Sequence, residues 1–395
     1  MPTCSVRRSV WCGLITSWAI FWSGCSDGET RVGAPRAIFG VADTVQISQP
    51  WMARQELAEG AYLAQPLRLP DGGFAALDER TWQIFRISPT GEKGPSVGQK
   101  GEGPGDLGRP CCIAVARGPE PRVWVYEISN HRYSLFDLSG STPRYISSTA
   151  GPSNWARLGR VVQLEDGTLL HPELVPNPAS TSQLLVVSRI DSNGRVTQSD
   201  TLPLPRNGRA DVAAVTQSLG AGRGTSIWIV QPFGSVQLSA MGKGGATAQA
   251  YSGIYRVEYR APNGQLKELG DSKAKGPELT KKEKDEAQKS LEEQAKSAGT
   301  TVARLPFGVP AHKAPIAGLE FDAGGRLWVR LSVPEGAQQM ADVYDSNANV
   351  IGRYVWPEQL NLVLATGASN EFWAWSQDSA GFKHYVLVRF SAATK

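Results

Sequence analysis

The chain has 395 residues, with 41 Lys+Arg against 37 Asp+Glu for a formal net charge of +4, and it contains 42 Gly, 26 Pro, 12 Trp and 5 Cys. That length supports one large domain or two average ones with a sizeable core, so neither a disulfide nor a metal is required for folding. The near-balanced charge excludes an electrostatic nucleic-acid binder, and the Gly, Pro and Trp content favours an all-β chain of many short strands and turns.

In chain order, the first element is an address. Arg7 and Arg8 precede an uncharged, mostly apolar run from Ser9 to Gly24, and the polar Ser26-Asp27-Gly28-Glu29 follows Cys25. This is secretory leader anatomy, too short for a comfortable membrane span. Ser23-Gly24-Cys25 resembles a bacterial lipoprotein signal, in which a Cys after small residues is linked to diacylglycerol and becomes the first residue. The resemblance implies lipidation at Cys25, a leader over 1–24, and an exported protein held to membrane lipid, facing the periplasm or the exterior. The alternative is an ordinary signal peptide cut near Gly24. Several acyl chains on one residue give stable anchoring. Residues 25–40, polar and rich in Gly, Ala and Arg, read as a tether. Cys4 and Cys12 lie in the leader, so only Cys111 and Cys112 are left to pair if Cys25 is acylated. A bridge between adjacent residues is geometrically strained, so buried thiols on a strand are expected.

A repeat occupies the remainder. A polar or Gly turn followed by a short apolar strand begins its apolar run at Phe74, Val123, Leu169, Ile227, Leu327 and Phe372. A second alternating strand follows each copy, as in Gln83–Ile87, Tyr133–Asp137, Leu185–Ile190, Ile254–Tyr259, Asp342–Tyr344 and Tyr385–Phe390. Alternation over five or six positions marks half-buried strands, and the Asn193-Gly194 and Asn263-Gly264 pairs mark hairpin turns. A unit of roughly 45–50 residues built from short strands is the period of a β-propeller blade. The fold expected is an all-β, six-bladed β-propeller over 41–395, with one blade plus a long insertion between Ile227 and Leu327, a degenerate seventh blade being the alternative there. Ring closure is expected from an N-terminal strand, Ala37–Val41 or Thr44–Ile47, against the terminal strand 385–390.

Within that insertion, residues 278–298 break the β pattern. Thr280-Lys281-Lys282-Glu283 is a capping box, Asp285–Lys289 and Glu292–Lys296 are spaced as i,i+4 ion pairs, and Ala287, Leu291, Ala295 and Ala298 form a thin apolar stripe. A helix is expected here, as a lid over one ring face or as a solvated helix in a tolerated insertion.

The segment Val123–Gly140, with Glu127, Asn130-His131-Arg132 and Phe136-Asp137, resembles an NHL repeat, Glu127 standing where Asp is more usual. Upstream, Gly98–Pro110 resembles the Gly-rich blade linker of exported bacterial six-bladed propellers of the NHL/TolB-like kind, often lipoproteins. The resemblance implies the fold and the export. It implies no particular activity, because this fold hosts enzymes and binders alike.

No catalytic residue is nominated. The glycines of 98–108 lack a following Lys-Ser/Thr and a helix, so tight turns explain them better than a phosphate cradle. His131, His171, His312 and His384 show no metal-ligand spacing. His312, in the Pro-rich return from the helix, is a ligand-binding candidate. Trp124, Trp228, Trp328 and Trp373 share one repeat position and read as blade packing. Trp51, Trp155 and Trp356 lie off the repeat and are nominated for an exposed binding face. The function expected is a membrane-anchored binding or scaffold module for a protein, peptide or glycan, without nucleic acid and without a cofactor. The alternative is a gluconolactonase-like hydrolase or lyase with Ca²⁺ or Zn²⁺ in the axial channel, drawing on Glu127, Glu165, Asp166 or Asp322.

Overall fold

The computed structural model describes residues 37–46, 63–78, 80–151, 161–164, 166–176, 183–202, 212–218, 224–367, 369–379, 381 and 383–392. Cys25, Trp51 and Trp155 lie outside the described residues. The chain is an all-β propeller with one helix among the described residues.

Four sheets are four-stranded antiparallel meanders. The first holds β2 (Leu63–Arg68), β3 (Phe74–Asp78), β4 (Gln83–Ile87) and β5 (Lys93–Val97). The second holds β6 (Pro110–Val115), β7 (Arg122–Glu127), β8 (Arg132–Asp137) and β9 (Arg144–Ala150). The third holds β10 (Val162–Gln163), β11 (Leu169–Pro176), β12 (Gln183–Ile190) and β13 (Val196–Leu202). A separate hairpin, β14 (Val212–Ser218) and β15 (Gly224–Val230), precedes the fourth sheet of β16 (Gln237–Met241), β17 (Thr247–Tyr251), β18 (Val257–Arg260) and β19 (Leu266–Leu269).

An eight-stranded sheet completes the ring. It joins the meander β20 (Ile316–Phe321), β21 (Leu327–Leu331), β22 (Gln339–Tyr344) and β23 (Val350–Trp356) to β24 (Asn361–Val363), β25 (Glu371–Gln377) and β26 (Lys383–Ala392). The joint is β1 (Ile38–Gln46), which pairs antiparallel with β26 from Phe39↔Ala392 to Gln46↔Val386 and parallel with β23. The N-terminal strand therefore closes the ring against the last strand, as expected of a propeller. It starts at Ile38, inside the stretch read as tether.

Packing runs from sheet to sheet and returns to its start. Leu77 and Ile84 meet Val123 and Phe136, Tyr133 meets Leu169 and Ile190, and Leu170 and Leu185 meet Met241. Val257 and Tyr259 meet Phe321 and Tyr344, Trp328 meets Phe372 and Phe390, and Trp373 and Tyr385 meet Phe74 and Phe85. Burying apolar surface on both faces of every sheet supplies the driving force, at about 25 cal/mol per Å².

Three sequence expectations are corrected. The apolar run at Ile227 belongs to the hairpin β14–β15, whereas the second strand of the four-stranded sheet is Thr247–Tyr251, whose Ala248 and Ala250 are fully buried. Small side chains fill that interface, so the strand carries no apolar signal of the expected size. Cys111 and Cys112 are joined as a vicinal disulfide with Cα atoms 3.7 Å apart, rather than standing as free thiols. The register of β6 against β7 shifts between Pro110 and Cys112, and such a bulge releases neighbouring side chains from strict alternation. Third, the i,i+4 ion pairs Asp285–Lys289 and Glu292–Lys296 are not among those formed by the described residues, in keeping with the small energy of exposed pairs.

The helix itself, α1 (Lys281–Ser297), starts with the expected capping box at Thr280 and Glu283. Its stripe of Ala287, Leu291, Ala295 and Ala298 is buried, and Leu291, Ala295 and Ala298 pack with Ile229 of the hairpin. The insertion is thus a helix on a hairpin, one small core assembled from chain on either side of the fourth sheet. Glu283 is held by Lys313 Nζ at 2.6 Å, which fastens the helix start to the segment that leads into β20. With the Thr280 amide also donating, the Glu283 carboxyl is held below its ordinary range.

Candidate functional site

Every meander starts with a strand that has a neighbour on one side only, so its outer backbone edge is left for the ring axis. The ends of these inner strands meet at one cavity of about 540 Å³. Leu67 comes from β2, Ala114 from β6, Val162 from β10, Met241 from β16 and Phe321 from β20, and Ala365 comes from the turn after β24. The volume falls within the usual range for small-molecule sites, roughly 300–1,000 Å³.

Among the described residues the cavity's polar side chains are those of Arg68, Arg117, Gln163 and Asp322, of which all but Gln163 carry charge. Asp322 is buried and already occupied. Its Oδ2 accepts from Arg326 Nε at 2.6 Å and Trp328 Nε1 at 2.9 Å, and its Oδ1 accepts from the Gly324 and Arg326 amides, each at 2.9 Å. Gln163 accepts from the Arg117 amide at 2.6 Å and donates to the Gly167 carbonyl at 2.9 Å. Arg68 makes one long contact, 3.5 Å to the Thr366 carbonyl, and the Arg117 side chain is exposed. The result is an apolar chamber with two guanidinium groups that no carboxylate among the described lining residues neutralises.

Those donors do not suit a divalent cation. Among the described residues no group of three His, Cys, Asp or Glu side chains could hold a metal ion. Glu127 pairs with Pro110, at the far end of β6 from the cavity, and Asp166 caps its own turn by accepting from the Thr168 amide at 2.9 Å. Glu165 lies outside the described residues.

No family profile matches this chain, and no curated protein matches it. Solved propellers resemble it loosely. A Bacteroides fragilis protein described as exported is 10% identical with a TM-score of 0.48, covering 92% of this chain and 100% of its own. A DUF4221-family member from Bacteroides vulgatus is 10% identical with a TM-score of 0.43, covering 89% of this chain and 98% of its own. Virginiamycin B lyase from Staphylococcus aureus is 13% identical with a TM-score of 0.39, covering 89% of this chain and 99% of its own. Likeness at this level carries no argument about ligand or activity.

The residues nominated from sequence are not brought together. His312 is half-buried on the return from α1, where it bridges to Glu278 and sits 3.2 Å from the Gly276 carbonyl through Nδ1. It does not line the cavity. Trp356 is 1% exposed, so the expectation of an exposed binding ring is overturned. It ends β23, donates to the Leu360 carbonyl at 3.1 Å, and lies edge-on to Trp328 and Phe390. Trp328 and Trp373 are buried, as blade packing requires. Arg68 and Arg117 were not singled out by the sequence. Their one signal is positional, an Arg at or just past the end of an apolar strand and just before a turn in two successive repeats.

The linker 98–110 is a structural joint. Gly98 takes φ +92 and Gly108 leaves no room for a Cβ, which would lie 2.4 Å from the Asn130 side chain. Arg132 donates to the carbonyls of Glu102, Gly103 and Asp106, fastening the linker to the second sheet.

A second ionisable cluster is buried between the second and third sheets. Tyr133 hydroxyl meets His171 Nδ1, His171 Nε2 lies 3.5 Å from Glu173, and Tyr126 stacks edge-on against His171. Burial raises the Glu173 carboxyl above its ordinary range, and burial plus Glu173 pushes Tyr126 up to about 12. The sign follows from linkage. Above pH 4.5 the unfolded Glu173 loses its proton while the folded one keeps it, so stability falls as pH rises towards the folded value. Glu173→Gln is expected to flatten that part of the stability–pH curve, measured by urea unfolding across the pH series. Parallel curves for the two proteins would refute the assignment.

Proposed function

We propose that this chain is a six-bladed propeller of the NHL/TolB-like kind that works outside the cytoplasm as a binding module, with the axial cavity as its ligand site. Six blades are supported by the cyclic succession of packed interfaces, with the eight-stranded sheet counted as two blades that share β1. Export and anchoring through Cys25 rest on the leader, and no helix among the described residues is long and apolar enough to cross a membrane. A binding role, rather than metal-dependent hydrolysis or lysis, rests on one observation. The inner strands deliver apolar walls and two arginines to one cavity, with no metal-ligand set and no acid–base pair among the described residues.

The test fills the cavity. Ala323 lines it, is half-buried and sits past the end of β20, so Ala323→Phe occupies the chamber while leaving both arginines. A small-molecule set is screened by thermal shift against both proteins. Ligands at a hundredfold their Kd stabilise by about 2.7 kcal/mol. Hits that stabilise the unmodified protein and not Ala323→Phe are expected, and hits indifferent to the filled cavity would overturn the reading.

A protein or peptide docked on the ring face is the second reading. Val230, Phe233 and Val236 favour it, since all are exposed beside the helix-on-hairpin insertion.

A further inference from the structure

The chemistry of the cavity narrows its ligand class. We infer that the axial cavity takes a small amphiphile with an apolar tail and a carboxylate head, the head paired with Arg68 and Arg117. This rests on the reading of the cavity as a ligand site.

Three features select that class. First, the walls are apolar. Leu67, Val162, Leu164 and Met241 offer no hydrogen bonds, so a ligand polar all round would lose its hydration without replacement. A sugar fits poorly for that reason, and because Asp322, the one carboxylate among the described lining residues, is held by Arg326 and Trp328. Second, both uncommitted polar groups are cations. Low-dielectric walls strengthen the attraction of half-buried Arg68 for an anion, exposed Arg117 adds a solvent-screened one, and a guanidinium meets a carboxylate through two parallel N–H···O bonds. Third, the volume sets the size. At roughly 30 Å³ for each water-sized unit, about 540 Å³ holds on the order of 18 non-hydrogen atoms, room for an acyl chain of up to about sixteen carbons with its head. A bare inorganic anion would leave most of the chamber unfilled.

The geometry also assigns a direction. Arg117 is exposed just past the end of β6, whereas Leu67 and Ala114 are buried. The head therefore lies towards the turn-bearing face of the ring, with the tail along the axis between the inner strands.

The experiment is calorimetric titration of the purified protein in detergent-free buffer with octanoate, octanol and acetate. Octanoate is expected to bind at one site per chain, octanol at least roughly tenfold more weakly, and acetate not measurably. Arg68→Gln and Arg117→Gln are each expected to weaken octanoate by roughly tenfold while leaving octanol unchanged. Added salt should weaken octanoate and not octanol. Octanol equal to octanoate, or octanoate indifferent to both arginines, would overturn the ligand class. In that case loss of both probes in Ala323→Phe would still support the cavity as a ligand site. Failure of every probe would overturn the class too, and the thermal-shift screen would decide the site separately.

Discussion

Trp328→Ala is expected to lower stability by about 3–5 kcal/mol, among the largest effects of any single change in this chain. The ring of Trp328 is fully buried where the two halves of the eight-stranded sheet meet. Its centroid lies 4.8 Å from Tyr354 and 5.0 Å from Phe372, with Phe390 at 6.2 Å and Trp356 at 6.3 Å. Truncation removes the apolar transfer energy and leaves a void that the neighbouring strands β23, β25 and β26, held by their ladders, cannot close. It also strips Asp322 of one donor, the indole N–H at 2.9 Å, beside the axial cavity. Trp328→Phe keeps most of the volume and loses only that hydrogen bond with part of the packing, so it should cost about 1–2 kcal/mol. The midpoint of guanidinium unfolding measures both. Near-equal midpoints for the two variants would show that the void is not the dominant cost.

Glu127→Ala is expected to cost a similar amount, about 3–5 kcal/mol, for an electrostatic reason. Glu127 is fully buried at the end of β7. One carboxylate oxygen accepts from the Gly108 amide at 2.9 Å and Asn130 Nδ2 at 2.6 Å, and the other accepts from Arg132 Nε at 2.8 Å and Ser134 hydroxyl. Donors converge on both oxygens, so Glu127→Gln does not rescue the site, because its amide N–H₂ must face two of them. Removing the acid also leaves Arg132 as an unpaired, largely buried cation. Arg132 holds the carbonyls of the 98–110 linker, so the damage should reach that segment. Amide hydrogen exchange at Gly101–Leu107 should rise sharply in Glu127→Ala, more than at the third or fourth sheet. Uniform exchange across all sheets would mean that the carboxylate supports the whole ring rather than this joint.

These two sites mark where sequence reading succeeds and stops. The Asn130-His131-Arg132 turn and its acid were legible as a repeat motif, but the acid was equally available for a metal. Only the placement of its four donors settles the role, because a buried carboxylate with every lone pair engaged has nothing left for a ligand. Trp328 was legible as packing because it recurs at one repeat position. Trp356 was misread because absence from the repeat says nothing of burial. Where β23 meets β1 and the last meander, a strand end that looks peripheral is covered on both sides.

By itself the amino-acid sequence determined what short-range physics encodes. Period-two alternation set the outer strands, turn chemistry set the hairpins, the Thr280–Glu283 box set the helix start, and a free apolar strand at the N-terminus set the means of closure. The tertiary structure alone decided what depends on closing the ring. It moved the fourth repeat from Ile227 to the alanine-lined Thr247–Tyr251, folded α1 onto β14–β15, and brought Arg68 and Arg117 to one chamber. The reason is sequence separation. Residues from 67 to 365 meet at the axis only after every sheet has packed on the next, and no local pattern records which strand ends will face one another.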